Sequence, residues 1–167
     1  MAKSSKTDDA KTIEPGKAAP AFHLPDQAGD KHRLSQYKGR WVVLYFYPKD
    51  STPGCTTEAC DFRDAQTGLK QRDAVVLGVS PDGEASKAKF AGKHELNFPI
   101  LADEGATVCQ KYGVWQEKSM YGRTFMGVVR TTYLIDPSGK VARRFDKVKV
   151  KAHADAVLAA LDELRAG

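Results

Sequence analysis

Two continuous runs of apolar and β-branched residues stand out along the chain. They are "RWVVLYFYP" (40–48) and "AVVLGVS" (74–80), and such runs are typical of strands buried on both faces of a sheet. The segment between them, "GCTTEACDFRDAQTGLKQRD", has helical periodicity. Its apolar stripe consists of Cys55, Ala59, Phe62, Ala65 and Leu69. A strand, a helix and a strand of these lengths predict a βαβ unit with parallel strands.

The rest of the chain continues the alternation of helices and strands. A second helix is predicted over 82–96, a short segment "FPILAD" follows, and a short helix over 105–113 ends at Gly113. The segment "TTYLIDPSGKVARRF" predicts two strands joined by a turn, and "KAHADAVLAALDELRAG" predicts a final amphipathic helix. The sequence therefore predicts an α/β fold with a mixed, mostly parallel sheet and helices on both faces.

The first residues differ in composition from the rest. Residues 1–18 are mostly Lys, Ser, Asp and Ala with almost no apolar content, which is typical of a mobile tail. The remaining segment, 19–167, shows no internal repeat and no linker, and its length suits one domain with a full core. We therefore expect a mobile tail over 1–18 and a single domain over 19–167.

Composition and charge narrow the classes of function. No run approaches the roughly 20 apolar residues of a membrane span. The N-terminus lacks the apolar core of a secretory signal, so we expect a cytoplasmic protein without membrane contact. The net charge is +5, and the densest basic run is "KVARRFDKVKVK" (140–151). Because this run alternates with valines and has no aromatic platform, we interpret it as a solvated face and expect no nucleic-acid partner.

Two of the three cysteines, Cys55 and Cys60, lie five residues apart in the first predicted helix. In a reducing cytosol such a pair is more often catalytic or metal-binding than a structural disulfide. Cys55 follows Pro53 and Gly54 at the start of the helix, where free backbone N–H groups and the helix dipole favour a thiolate. The alternative is that Cys55 is a small core residue of the apolar stripe.

The residues around Cys55 resemble the active-site signature of the peroxiredoxins, the cysteine-dependent peroxidases. The pattern is Pro48-x-x-x-Thr52-x-x-Cys55, and the string "FYPKDSTPGCTTEACDFRD" is similar to the peroxiredoxin Q subfamily, also called bacterioferritin comigratory protein. The strings "VLGVSPD", "YGVW" and "RTTYLID" extend the likeness over nearly the whole chain after the tail. The resemblance implies a three-layer, thioredoxin-like fold. It also implies reduction of hydrogen peroxide and organic hydroperoxides through a sulfenic acid and an intramolecular disulfide.

The same resemblance implies a role for each matching residue. Cys55 would be the peroxidatic cysteine, and Thr52 would hydrogen-bond the thiolate and the incoming peroxide. Pro48 would cap the pocket and exclude water. Arg130 would stabilise the thiolate and the negative charge of the transition state. Glu58, one turn after Cys55, would either orient Arg130 or favour the helix start.

The resemblance further implies how the catalytic cycle is completed. Cys60 would be the resolving cysteine, which condenses with the sulfenic acid to give the disulfide. Residues i and i+5 of a helix do not face one another, so we expect the helix to unwind before Cys55 and Cys60 join. Cys109 is interpreted as a buried small residue and is the reserve candidate for resolution. The resemblance also implies thioredoxin or a similar dithiol as reductant, no cofactor, no metal and a monomer.

Two other classes of function stay open from the sequence. A thioredoxin-like dithiol–disulfide exchanger normally uses Cys-x-x-Cys, whereas this chain has Cys-x-x-x-x-Cys. A metal-binding or interaction module would combine the cysteines with a histidine. The histidines are His23, His32, His94 and His153. They are scattered without metal-ligand spacing, so the peroxidase is the function that we expect.

Overall fold

The computed structural model describes residues 11–167, and a central sheet runs through this part of the chain. The strands, numbered along the chain, are β1 (His23–Pro25), β2 (Lys31–Arg33), β3 (Trp41–Phe46), β4 (Ala74–Ser80), β5 (Ile100–Ala102), β6 (Trp115–Met120), β7 (Arg123–Val128), β8 (Thr131–Ile135) and β9 (Val141–Phe145). Within residues 11–167, the central sheet has five strands in the order β5-β4-β3-β8-β9. β1–β2 and β6–β7 form separate antiparallel hairpins.

The directions of the strands confirm the predicted βαβ unit. β3 and β4 are parallel, with Val42 opposite Val75 and Leu44 opposite Leu77, and β5 is parallel to β4. β8 is antiparallel to both of its neighbours, β3 and β9. Among the described strands of this sheet, β8 alone runs against the others. The prediction of a mixed, mostly parallel sheet is therefore confirmed.

The helices follow the predicted order, with one difference in the first of them. They are α1 (Pro53–Asp64), α2 (Gln66–Gln71), α3 (Glu84–His94), α4 (Thr107–Lys111) and α5 (His153–Ala166), with a 3₁₀ helix at Leu34–Tyr37. The single helix predicted between β3 and β4 is wrong, because the chain breaks at Ala65 into α1 and α2. The side-chain amide of Gln66 donates to the Phe62 carbonyl at 3.1 Å. In a continuous helix this carbonyl would accept the backbone N–H of Gln66 instead.

Two cores lie on the two faces of the sheet, because side chains alternate along each strand. On the first face, Val43 and Tyr45 of β3 belong to the core that α1, α2, α3 and α5 cover. On the second face, Val42, Leu44 and Phe46 pack with residues of α4 and of the β1–β2 region. Helices therefore lie on both faces as predicted. The coverage is unequal, since α4 is the only α-helix over the described part of the second core.

The β6–β7 hairpin was not predicted from the sequence. Its two-residue turn is Tyr121-Gly122, and both residues have positive φ, of 54° and 74°. Such a turn matches the twist of a hairpin, and glycine adopts positive φ without a steric cost. Most side chains of both strands are exposed or half-buried, so no buried face imposes an alternating apolar pattern. The hairpin matters for function because β7 leads directly into Arg130.

The predicted tail, 1–18, lies partly outside the described residues. In its described part, the Ile13 N–H donates to the Tyr133 hydroxyl at 3.1 Å, and Arg144 donates to the Ile13 carbonyl at 2.8 Å. The Gly16 N–H donates to the carbonyl of Val141 at 2.7 Å, so this segment pairs with the edge strand β9. The folded part of the chain therefore begins by residue 13 rather than at 19. No helix within residues 11–167 has the length and apolar character required to cross a membrane.

Candidate active site

Cys55 lies in the first turn of α1, as the sequence predicts. Pro53 begins the helix, Thr52 precedes it in an extended conformation, and the first helical bond runs from the Thr56 N–H to the Thr52 carbonyl at 2.8 Å. The first turn of a helix leaves backbone N–H groups without intrahelical acceptors, and these groups favour negative charge. The Cys55 side chain is only 1% exposed and belongs to the first core. The two interpretations of Cys55, a thiol at a helix start and a core residue, are thus compatible.

Arg130 connects Cys55 with Glu58. Its Nη2 donates to the Cys55 Sγ at 3.4 Å, and its Nη1 donates to the Glu58 Oε1 at 2.6 Å. Gly54 allows this approach, because a Cβ at that position would lie 3.2 Å from Nη2. Of the two roles considered for Glu58, its ion pair with Arg130 supports the one in which it orients the guanidinium. From the sequence, only the family resemblance indicated that Cys55, Glu58 and Arg130 lie close together. The structure shows their contacts directly.

The electrostatics of this triad are set by burial. Glu58 is 1% exposed, and its Oε2 has no hydrogen-bond partner among the described residues. Burial raises the pKa of Glu58 to about 7, although Arg130 acts in the opposite direction. Burial tends to lower the pKa of Arg130, but the charges of Glu58 and Cys55 outweigh it, so the pKa of Arg130 is raised. The guanidinium beside the Cys55 sulfur therefore stays positively charged.

The backbone around Arg130 is fixed from three directions. The Arg130 carbonyl accepts the Val148 N–H at 2.9 Å, and the neighbouring Val129 N–H donates to the Val114 carbonyl at 2.9 Å. The Thr131 hydroxyl donates to the Val129 carbonyl at 2.7 Å. Val148 belongs to the basic run 140–151, which was interpreted as a solvated face. That segment therefore also holds the backbone of Arg130 in place.

Thr52 makes a different hydrogen bond from the one expected. Its hydroxyl donates to the Lys49 carbonyl at 2.9 Å, and it makes no side-chain cap of α1. Since a hydroxyl has one hydrogen, in this state Thr52 cannot also donate to the Cys55 thiolate. Its oxygen can still accept a hydrogen from a bound peroxide. Pro48 is half-buried in the loop after β3, and its role in excluding water stays a prediction.

Cys60 and Cys109 lie in very different surroundings. Cys60 is half-buried in the same intact helix as Cys55, and all three cysteines are unbridged in the described chain. Cys109 is fully buried in the second core, on the opposite face of the sheet from Cys55. Burial, reinforced by Asp103, strongly raises the pKa of the Cys109 thiol. Cys109 is therefore a buried core residue, and the reserve role in resolution does not fit its position.

The histidines do not join the cysteines. His32 contacts the Asp26 carboxylate at 2.7 Å and the Tyr37 hydroxyl at 2.6 Å, and His153 contacts the Thr132 hydroxyl at 2.9 Å. Burial lowers the pKa of His153 to about 4, so its ring is neutral at physiological pH. Within residues 11–167, no group of three His, Cys, Asp or Glu residues is arranged to hold a metal ion.

Lys118 is a cationic neighbour of the site that the sequence did not reveal. It lies on β6, where its Nζ donates to the Val128 carbonyl at 2.9 Å, two residues before Arg130. Its stem crosses Gly127, at which a Cβ would lie 3.1 Å from the Lys118 Cδ. Burial and the nearby Arg130 lower the pKa of Lys118, while Cys55 acts in the opposite direction. Only prediction of the β6–β7 hairpin would have brought this lysine to the site.

Comparisons with known proteins agree with this geometry. The model of the AhpC/TSA family matches residues 15–144. Peroxiredoxin Bcp of Bacillus subtilis is 46% identical over 153 residues, which cover 92% of this chain and 98% of the relative. Peroxiredoxin Bcp of Escherichia coli K12 is 45% identical over 151 residues, covering 90% and 97% of the two chains.

A solved structure gives the same result for the fold. The bacterioferritin comigratory protein of Xanthomonas campestris, studied for its alkyl peroxide reduction activity, superposes with a TM-score of 0.84 at 40% identity. The match covers 90% of this chain and 98% of that one. The predicted thioredoxin-like arrangement of the peroxiredoxins is therefore confirmed.

Proposed function

This chain belongs to the AhpC/TSA family and is a peroxiredoxin, a thiol-dependent peroxidase, and we propose that Cys55 is its peroxidatic and Cys60 its resolving cysteine. The observation that supports the first role is the 3.4 Å contact of the Arg130 Nη2 with the Cys55 sulfur at the start of α1. In the described part of the chain, neither the Cys60 nor the Cys109 thiol accepts a hydrogen bond from a guanidinium. Cys55 is therefore the thiol best placed to react as a thiolate.

In the first step, the Cys55 thiolate attacks the terminal oxygen of the hydroperoxide and the O–O bond breaks. Sulfur is oxidised to a sulfenic acid, and the other oxygen leaves with the bonding electrons and takes up a proton as water or alcohol. Negative charge develops on this leaving oxygen, and the preorganised guanidinium of Arg130 stabilises it. Thr52, whose hydrogen is directed to Lys49, accepts the hydrogen of the peroxide and orients it.

In the second step, Cys60 attacks the sulfenic sulfur, an S–S bond forms and the S–O bond breaks with release of water. Both cysteines lie in α1, at positions that an ideal helix separates by roughly 8–9 Å between Cα atoms. A disulfide requires about 4.4–6.8 Å between Cα atoms. The turns between the two residues must therefore unwind before resolution. A dithiol then reduces the disulfide and restores the enzyme.

We assign the finer properties on the likeness to the peroxiredoxin Q subfamily. The substrates are hydrogen peroxide and organic hydroperoxides, and the alkyl peroxide activity studied in the Xanthomonas campestris relative supports the second class. The reductant is thioredoxin or a similar dithiol. The protein acts as a monomer in the cytoplasm.

Replacing Cys60 by serine tests the proposed function, because it separates the two chemical steps. Cys60→Ser should react once with hydrogen peroxide at the wild-type rate and then stall as a sulfenic acid, because no thiol is within reach to resolve it. Further peroxide should convert Cys55 to the sulfinic acid. Stopped-flow kinetics and mass spectrometry of the Cys55 peptide measure both results.

The matched control for this experiment is Cys109→Ser, which removes a thiol on the other face of the sheet. That variant should turn over like the wild type and form the same Cys55–Cys60 disulfide. The assignment of Cys60 is wrong if Cys109→Ser stalls and Cys60→Ser turns over normally.

The burial of Glu58 makes the opening of α1 depend on pH. With the helix folded, the pKa of Glu58 is raised to about 7, whereas in an unwound segment it returns towards its ordinary value of 4.5. In the folded helix, Glu58 therefore keeps its proton up to a higher pH than in the unwound segment. This preference stabilises the folded helix relative to the unwound one; the stabilisation is complete below about pH 4.5 and is lost as pH rises to about 7. We expect the opening equilibrium constant to rise by up to about tenfold per pH unit between these limits.

Amide exchange of the reduced protein, corrected for the intrinsic effect of pH, measures this opening across α1. In Glu58→Gln the pH dependence should flatten, because the carboxyl group whose pKa differs between the folded and the unwound helix is removed. Asp61, also in α1, is the main competing carboxyl, because burial and the charges of Asp64 and Asp155 raise its pKa. Asp61→Asn is therefore the control. The prediction is wrong if the opening of α1 no longer depends on pH in Asp61→Asn but still depends on pH in Glu58→Gln.

A further inference from the structure

A second buried polar cluster lies beside the active-site loop and takes no part in the contacts of Cys55. At its centre is Lys87 of α3, whose side chain is 0% exposed. Its ammonium group donates to the Tyr47 hydroxyl at 3.0 Å, to the Asp50 Oδ1 at 3.0 Å and to the Ser80 hydroxyl. All three ammonium hydrogens are thus used. A lysine without exposure requires such partners, because an unpaired buried charge is strongly unfavourable.

Asp50 is the point at which this cluster reaches the loop between β3 and α1, residues 47–52. Its Oδ1 also accepts the Tyr47 hydroxyl at 2.6 Å, and its Oδ2 accepts the Ser86 hydroxyl at 2.7 Å. Its backbone N–H donates to the Asp82 Oδ2 at 2.8 Å. One loop residue is therefore held by Tyr47 of the loop itself, by two side chains of α3 and by Asp82 in the segment before α3. No other residue of this loop is bonded so extensively in the described structure.

The residues next to Asp50 are those that orient Thr52. Ser51 has a φ of 67°, a conformation that residues other than glycine adopt only when the surroundings impose it. The Thr52 hydroxyl donates to the carbonyl of Lys49, the residue before Asp50. Fixing Asp50 therefore fixes both the strained residue and the acceptor of the Thr52 hydroxyl. The position of the Thr52 oxygen above the Cys55 turn follows from that anchor.

We propose that Lys87 is a positioning residue for the peroxidase reaction: through its ion pair with Asp50, it holds the loop 47–52 so that Thr52 orients the peroxide for attack by Cys55. This inference rests on the proposed role of Cys55. Lys87 itself does not touch the reacting atoms. Its effect is on the geometry of peroxide binding and not on the nucleophile, because the thiolate is held by the start of α1 and by Arg130. The two contributions can therefore be separated experimentally.

The experiment compares two reactions of the same sulfur in Lys87→Met. Hydrogen peroxide needs the loop to orient it, whereas alkylation by iodoacetamide, followed on the Cys55 peptide, needs the thiolate but no hydrogen bond from the loop. The second-order rate constant with hydrogen peroxide should fall roughly tenfold or more, as expected when reacting groups are misplaced by a fraction of an ångström to an ångström. The rate constant with iodoacetamide should stay close to that of the wild type. Lys87 is only a structural residue if both rate constants fall together or neither changes.

A milder variant and a matched control accompany this test, because Lys87→Met leaves the Asp50 carboxylate buried without its cation. Ser86→Ala removes one hydrogen bond from Asp50 and keeps the ion pair, and it should slow the peroxide reaction alone by about threefold. His32→Gln disturbs the buried pair of His32 and Asp26 in the region of β1 and β2, and it should leave the ratio of the two rates unchanged.

A lowered ratio in Lys87→Met and Ser86→Ala, with an unchanged ratio in His32→Gln, supports the positioning role. A ratio that falls equally in His32→Gln reflects general loss of stability and overturns the inference. A wild-type protein whose Cys55 does not react with hydrogen peroxide contradicts the proposed function itself, whereas normal wild-type reaction with unchanged ratios contradicts only the role of Lys87.

Discussion

Replacing Cys55 by serine should abolish peroxide turnover, with a loss of at least about a thousandfold in rate, because the nucleophile of the reaction is removed. The other two thiols cannot take its place. Cys109 is buried in the second core with its pKa strongly raised, and Cys60 lies further along α1 without a contact to Arg130. Consumption of hydrogen peroxide in the presence of a dithiol reductant measures the loss.

A loss of activity in Cys55→Ser is informative only if the variant is still folded. Cys55 is nearly fully buried, but serine is slightly smaller, so Cys55→Ser should keep the circular dichroism spectrum of the reduced wild type. Turnover of Cys55→Ser near the wild-type rate would show that another thiol carries the peroxidase activity. In that case the assignment of the site would have to be abandoned.

The central part of the fold could be predicted because its strands are buried on both faces. β4 coincides with the predicted run at 74–80, and β3 lies within 40–48, since continuous β-branched segments leave few alternatives. The same pattern placed Cys55, because a proline after a buried strand marks the start of the next helix. Both predictions depend on local sequence and on burial, and the structure confirms them.

Features that depend on side-chain hydrogen bonds or on exposed surfaces could not be predicted in this way. The break at Ala65 depends on the Gln66 side chain, and the β6–β7 hairpin lacks an apolar face. Residues 13–18 were interpreted as tail because they are polar, yet their backbone pairs with an edge strand. Backbone pairing requires no apolar side chains, so composition gives no signal of it.

In the candidate site, too, some residues could be predicted from the sequence and others could not. Cys55 and Arg130 followed from the family resemblance, and the structure brings them into contact. The predicted bond from the Thr52 hydroxyl to the Cys55 thiolate is not present in this state, because the single hydroxyl hydrogen is donated to the Lys49 carbonyl. Lys87 was not considered at all, since a lysine in a polar helix is normally solvated. Its burial depends on partners from two separate segments of the chain, the loop 47–52 and the end of β4.

Oxidation should unwind the start of α1, which is the second large effect that we expect. The segment from Thr56 to Asp61, "TTEACD", contains Thr, Cys and Asp, which are middling to poor helix formers. Opening it exposes Glu58 and Ala59 and breaks the ion pair of Glu58 with Arg130. These losses are local, and local opening requires less free energy than unfolding of the whole domain. The new covalent bond between Cys55 and Cys60 then holds the segment open.

Packing sets the limit of this unwinding. Phe62 lies one residue beyond the opened segment and packs against the rings of Tyr45 and His153, with centroid distances of 4.9 and 5.9 Å. On the other side, the Asp50 cluster holds the loop before Pro53. We therefore expect the loss of helix to concentrate over residues 56–61, with weaker effects over 53–66. Strands β3 and β4 should be unaffected.

Hydrogen–deuterium exchange of reduced and peroxide-oxidised protein measures the unwinding of α1 itself, with Cys60→Ser treated in the same way as the control. We expect the oxidised wild type to contain a Cys55–Cys60 disulfide and to lose protection over residues 53–66, whereas oxidised Cys60→Ser should form no such disulfide and keep most of its protection. A Cys55–Cys60 disulfide in a protein that retains full protection across that segment would show that resolution proceeds without unwinding of α1.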